Sequence, residues 1–371
     1  MASKFEPKMA LEFSDFLRLD NERKAREFEE IKQLVAASSI PLPDSVLERV
    51  LSLFPTAAHQ ALREHSGFIF AERREHYRAS LSIMFQSLDD LAEALRNFER
   101  LATAETAEIM MPKNKDKLEA IERRIQKELF GVANAAASLV DHARRLNAVF
   151  KIPEFKDQVN ACFSDDGLHD LVIALRVLLH HLHIVKTGWS LSSDIAGTRT
   201  AEFRIDRDEL ERAIKQSGNY DGPKYVPMRA LIQSYESGIN LLTFFDEYRS
   251  RLEGFYGWLD NVIDNQPPLA LQDYDRCILE KNRRSVRMSW NALIGNWLNW
   301  ERIPDIHKHL PNYLRPEQLE AIYKLRRNSK EQVDLIIEYF DEYGAMNQEF
   351  RDKIYRLFQR LDEQEASAQM N

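Results

Sequence analysis

Apolar residues recur at three- and four-residue steps along most of the chain, which is the spacing of one face of an α-helix. Proline, glycine and short polar stretches interrupt the pattern and mark where helices end. The predicted helices cover residues 9–37, 44–53, 56–103, 116–150, 168–186, 207–216, 228–263, 272–300, 316–343 and 346–363. The pattern therefore predicts a mostly helical protein.

The period changes to two residues in one place only. Trp189, Leu191 and Ser193 alternate with their neighbours, a polar turn follows, and residues 202–206 alternate again. Two such runs joined by a turn indicate a β-hairpin, and Asp206 or Asp208 is the expected N-cap of the next helix. We predict an all-α helical bundle with one small β-hairpin, divided into regions 1–110, 111–216 and 217–371.

Composition agrees with this fold. The chain has 371 residues with 12 Gly and 13 Pro, fewer than the roughly 26 and about 19 expected from average usage. A net charge of −8 does not indicate a nucleic-acid or membrane partner for the chain as a whole. We find no signal peptide and no apolar stretch long enough to cross a bilayer, so we expect a cytoplasmic protein with no membrane partner.

Metal and nucleotide motifs are absent from the sequence. It contains no GxGxxG, GxxxxGK[ST], HExxH or GxSxG, which argues against nucleotide hydrolases, zinc proteases and α/β-hydrolases. Cys162 and Cys277 stand far apart, without CxxC or Cys/His zinc spacing. We therefore predict no metal site.

Histidines cluster in the predicted helix 168–186. Four of the ten lie within fifteen residues: His169, His180, His181 and His183. At about 100° per residue, three of them lie within about 40° of Arg176, whereas His181 points about 140° away. Cleavage of a phosphodiester needs a group that titrates near neutral pH and a fixed cation for the phosphate. Arginine and histidine on one helix supply both, although a polar pair satisfied inside the bundle remains the alternative.

The segment from Gly167 to His181, GLHDLVIALRVLLHH, resembles the motif helix of HEPN domains (higher eukaryotes and prokaryotes nucleotide-binding), in which an arginine is followed, after four to six residues, by a histidine. Four residues separate Arg176 and His181. The upstream stretch ELFGVANAAASLVDHARR resembles the long helix that precedes the motif in bacterial members. The hairpin and the capped helix after it fit the same order. The resemblance covers roughly residues 114–216.

This resemblance implies a metal-independent endoribonuclease without a cofactor, in which the RNA 2′-hydroxyl attacks its own phosphate. Arg176 is expected to hold the phosphate and His181 to act as general acid and base. His180, Asp141 and His142 are expected to support them, unless they pair locally. Family members usually act as homodimers, often in toxin or antiviral defence systems with a partner protein.

A second candidate RNA contact lies further along the chain. Residues 274–330 carry 12 basic and 6 acidic side chains, interleaved with tryptophans. Basic groups near aromatic rings suit single-stranded RNA, and the arginines we select are Arg283, Arg284, Arg287, Arg326 and Arg327. The alternative is a solvated basic face with the tryptophans in the core.

One departure from the family pattern keeps a different function open. The residue after the motif arginine is usually polar in active members and is Val177 here. The alternative is therefore a non-catalytic helical scaffold or dimerisation module with a degenerate HEPN core.

Overall fold

The structure is a computed structural model that describes residues 62–104, 108–163, 166–180, 187–193, 199–217, 222–236 and 238–370, together with Glu22, Arg26 and Glu29. The predicted helices 9–37 and 44–53 lie outside this part of the chain. The described residues are mostly helical with one small antiparallel sheet, which confirms the predicted fold class. None of their helices combines the length and apolar character needed to cross a bilayer.

The helices and strands alternate along the chain in one order. We number them α1 Phe68–Thr103, α2 Lys115–Phe150, α3 Phe155–Phe163, α4 Leu168–His180, β1 Thr187–Ser193, β2 Arg199–Asp206, α5 Arg207–Gln216, α6 Val226–Ser234, β3 Gly238–Asn240, α7 Leu241–Asn265, α8 Leu269–Asn299, α9 Pro316–Tyr323, α10 Lys330–Phe340 and α11 Gln348–Met370.

The chain divides into two compact units. Residues 66–272 form one, which we call the central unit. Residues 1–65 and 273–371 form the other, which we call the terminal unit. The region boundaries predicted near residues 110 and 216 both fall inside the central unit, because α7 packs against α1 and α3.

The core of the central unit lies where α1 runs along α2, with α4 against α2 and α7 against α1. Leu91 and Phe98 of α1 are fully buried, as are Ile125 and Leu139 of α2. Each such side chain contributes about 1.5–3 kcal/mol through removal from water. The apolar spacing that predicts α1 and α2 is therefore the spacing of the face that packs.

The hairpin is present and gains a third strand. β1 pairs with β2 in antiparallel register, with Trp189 opposite Phe203, and β2 pairs with β3, with Ile205 opposite Ile239. Phe203 and Ile205 are buried on one face of the sheet. Asp206 caps α5 by accepting a hydrogen bond from the amide of Glu209 at 2.8 Å, which confirms the predicted cap.

The prediction of one helix over residues 228–263 is wrong. The structure has α6, β3 and α7 in this stretch. A Cβ at Gly238 would lie 2.7 Å from the carbonyl oxygen of Ile205, so only glycine lets β3 approach β2 this closely. Asn240 then starts α7 by accepting a hydrogen bond from the amide of Leu242 at 2.9 Å. The strand pairing and the cap together replace the continuous helix.

The terminal unit has its own core, built from α8 to α11. Ile322, Val333 and Phe350 are almost fully buried there. The predicted helix 316–343 is interrupted between α9 and α10, where Asn328 has a φ of 58°. Ser329 then caps α10 through the amide of Gln332, and a left-handed residue followed by a capping serine ends one helix and starts another.

Candidate functional site

The start of α4 is held from three sides. Gly167 has a φ of +76°, and a Cβ there would lie 2.2 Å from the backbone nitrogen of Met228. Asp166 accepts a hydrogen bond from the amide of Leu168 at 3.1 Å and another from Arg251 of α7. The Arg251 hydrogen bond lowers the pKa of the Asp166 carboxyl. The first turn of the motif helix is therefore fixed against α6 and α7.

His169 lies one residue into this helix and faces a buried tyrosine. Its Nδ1 is 3.0 Å from the hydroxyl of Tyr248, and the two rings stack at 6.0 Å between centroids. Burial raises the pKa of Tyr248 far above its usual value, so the phenol stays protonated. The pair borders a cavity of about 260 Å³ whose walls come from α2, α3 and α7.

Arg176 lies seven residues after His169, two turns or about 10 Å along the same face of the helix. The residue is partly buried. Its Nε atom is buried and has no hydrogen-bond partner among the described residues. A buried donor on a cationic group costs free energy when it is left unsatisfied. An anion at this position would satisfy it with a charge-assisted hydrogen bond.

The histidines predicted to work with Arg176 are not described at the same level. His180 is the last residue of α4, and His181 and His183 lie outside the described residues. The pairing of Arg176 with His181 therefore stays a prediction.

His142 lies in α2 and contacts α1. Its Nδ1 forms a hydrogen bond with the Ser80 hydroxyl, and its ring centroid is 6.0 Å from that of His76. Burial, followed by the nearby His76 and Arg145, lowers the pKa of His142. Asp141 beside it is exposed. The described contacts of His142 thus go to α1, and a role for either residue in orienting His181 stays a prediction.

Three of the five selected arginines of the terminal unit bind protein groups. Arg283 donates from Nε to the carbonyl of Tyr343 at 2.6 Å, and Arg287 donates to that of Ala345 at 2.8 Å. Arg327 pairs with Glu365 at 2.7 Å and with Asp305 at 2.9 Å. Arg326 is exposed. These contacts show what the arginines stabilise within the unit, and their binding to RNA stays a prediction.

Comparisons of the chain with protein-family models, with curated proteins and with solved structures find no match. The functional argument therefore depends on the chain's own residues.

Sequence reasoning missed a cavity in the terminal unit. Trp290 and Trp297 pack against the core of this unit, as one interpretation of their spacing held. They also line a cavity of about 270 Å³, together with Phe340 and His309. Their seven-residue spacing was the available signal, but it predicts one helix face and does not show whether that face is completely filled.

Proposed function

We propose that the protein binds RNA at α4 and cleaves it without a metal ion, as a HEPN-like endoribonuclease of a bacterial defence or toxin system. The observation that supports this most is Arg176, whose buried Nε has no hydrogen-bond partner among the described residues. The sequence between Gly167 and His181 adds the resemblance to the motif helix. In this proposal the protein is a cytoplasmic homodimer that works with a partner protein.

The proposed chemistry is a transfer within the RNA strand. The 2′-hydroxyl attacks the adjacent phosphorus while His181 accepts its proton, and the bond to the 5′-oxygen breaks. The 5′-oxygen takes up a proton, so the products carry a 2′,3′-cyclic phosphate and a 5′-hydroxyl. Arg176 contributes a fixed positive charge next to the phosphate as negative charge develops on its oxygens.

The anchored start of α4 supports this assignment. Catalytic groups act best on elements that cannot shift, because a small displacement weakens a charge-assisted contact. The Gly167 turn and the Asp166–Arg251 contact hold this end of the helix. Arg176 therefore projects from a helix whose position is determined by α6 and α7.

The test is incubation of the purified chain with total tRNA and structured RNA in EDTA, with the product ends mapped. The variants are Arg176→Ala, Arg176→Lys and His181→Ala. Arg96→Ala is the matched control, because Arg96 is an exposed arginine of the same unit. His309→Ala controls for the loss of a histidine in the terminal unit.

We expect discrete products with cyclic phosphate ends from the wild type and both controls. Arg176→Ala and His181→Ala should lose cleavage by about two to four orders of magnitude, the usual contribution of one such group. Arg176→Lys should recover little, because lysine lacks the planar fork of arginine. RNA that is bound but left intact by the wild type would replace this proposal with the non-catalytic scaffold. Cleavage that survives both substitutions would rule out these residues.

A further inference from the structure

Three potential metal ligands of the terminal unit lie together, away from α4. They are the imidazole of His65, the carboxylate of Asp273 and the thiol of Cys277. One ligand atom from each lies within 4.8 Å of the other two. It is the one group of three or more His, Cys, Asp or Glu side chains with this geometry in the part of the chain that the structure describes.

Local structure explains how these side chains meet. Asp273 and Cys277 are four residues apart on α8, so both lie on one face of that helix. His65 follows a helical turn, where its amide donates to the carbonyl of Leu62 at 3.4 Å. The ligands thus come from two segments of the terminal unit that residues 66–272 separate in sequence.

Neighbouring groups already orient the ligands. The Nε2 of His65 is 3.2 Å from one oxygen of Asp273, and Arg276 binds the other oxygen of the same carboxylate. The ring of Tyr274 packs beside His65 at 5.6 Å between centroids. One carboxylate oxygen therefore faces the imidazole while the arginine holds the other, an arrangement in which an outer residue positions a ligand.

We propose that His65, Asp273 and Cys277 bind a zinc ion, with water as the fourth ligand. Zinc prefers tetrahedral sites built from sulfur, nitrogen and oxygen. At the usual zinc–ligand distances, the ligand atoms of such a site are roughly 3.5 Å apart. Small side-chain rotations close the present separations to that value. The thiolate disfavours magnesium and calcium, which prefer oxygen ligands.

The expected role of the ion is structural. It links the segment that carries His65 to the beginning of α8, and the proton of the Cys277 thiol passes to solvent on binding. Because only the folded chain brings these ligands together, zinc should raise the stability of the protein. This role is separate from RNA cleavage, which we propose for the central unit without a metal.

The test uses the full chain, stripped of metal and titrated with Zn²⁺ by calorimetry and with Co²⁺ by absorption spectroscopy. The variants are Cys277→Ser, Asp273→Asn and His65→Ala. Cys162→Ser is the matched cysteine control, and Asp275→Asn is the matched aspartate control on the same helix. Circular dichroism checks that each variant remains folded.

We expect one zinc ion per chain and a thiolate-to-cobalt charge-transfer band in the near ultraviolet. Cys277→Ser should lose the band, whereas Cys162→Ser should keep it. His65→Ala and Asp273→Asn should weaken zinc binding by at least about tenfold, because each removes one of three protein ligands. Zinc should also raise the melting temperature of the wild type more than that of Cys277→Ser.

Two results would overturn the site. One is the absence of stoichiometric binding by the folded wild type. The other is zinc affinity that stays the same in folded Cys277→Ser and Asp273→Asn. RNA cleavage in EDTA reports on the proposed nuclease alone, so either proposal can fail without the other.

Discussion

The arginines of this chain differ in what their guanidinium groups contact. In Arg287, Nε donates to the carbonyl of Ala345, so the side chain ties α8 to the segment before α11. In Arg176, Nε is buried and has no hydrogen-bond partner among the described residues. The first arrangement is complete within the protein, whereas the second is completed by an anion. Position along the sequence does not distinguish these roles, because both residues stand in helices among apolar neighbours.

The contact of Arg287 predicts a stability effect that RNA binding would not produce. Arg287→Ala should lower the free energy of unfolding by about 1–3 kcal/mol, because it removes a charged donor from a backbone carbonyl. Arg326→Ala should change it by less than about 0.5 kcal/mol, since Arg326 is exposed. Urea denaturation measures both values.

The same two variants test the predicted RNA contacts of this unit. If the exposed arginine binds phosphate, Arg326→Ala weakens RNA binding and reduces its dependence on salt. Equal RNA affinity in the wild type and in both folded variants would remove residues 274–330 from the RNA-binding surface.

His142 predicts a pH dependence of stability. Burial lowers the pKa of this imidazole in the folded chain, so the folded state favours the neutral ring. The stabilisation is complete above the pKa of the unfolded chain, about 6.5, and is lost as the pH falls below it. His142→Asn should remove part of this loss. Melting temperatures of the two proteins between pH 5 and pH 8 measure the difference, and parallel curves would contradict the prediction.

At the level of elements, the sequence predicted what local chemistry controls. The apolar spacing of α1 and α2, the alternation of β1 and β2 and the capping by Asp206 all depend on neighbouring residues, and all are present. The break between α6 and α7 depends instead on the approach of Gly238 to Ile205 of β2. A contact between segments more than thirty residues apart leaves no periodic signal, so the helix was predicted through it.

The turn before α4 offers the sharpest test of an element. Gly167→Ala should destabilise the chain by several kcal/mol, because the new Cβ would meet Met228 at 2.2 Å and the φ of +76° disfavours alanine. Gly131→Ala is the matched control, since a Cβ there meets nothing within 4 Å in the middle of α2. It should stabilise the protein by about 0.5–1 kcal/mol.

Thermal unfolding of both glycine variants checks the prediction. Equal melting temperatures would show that the Gly167 turn does not fix the start of the motif helix. RNA binding by the two variants, measured where both are folded, then reports whether Arg176 depends on that turn.

Across the whole molecule, the two candidate sites differ in how far the sequence could predict them. Arg176 and the nearby histidines share one short helix, so helical geometry alone places Arg176 and His169 on one face. His65 and Cys277 are far apart in the chain, and no spacing rule connects them. Their meeting depends on how residues 273–371 fold together with the segment before residue 66, which is why the sequence predicted no metal site.

The division into two units predicts separable unfolding. Leu91 is fully buried in the core of the central unit, and Phe350 is almost fully buried in that of the terminal unit. Truncation to alanine should cost about 2–5 kcal/mol at either position, because it removes buried apolar surface and leaves a cavity. Leu91→Ala should lower the melting temperature of one calorimetric transition and Phe350→Ala that of the other. A single transition that both variants lower equally would show that the chain unfolds as one cooperative unit.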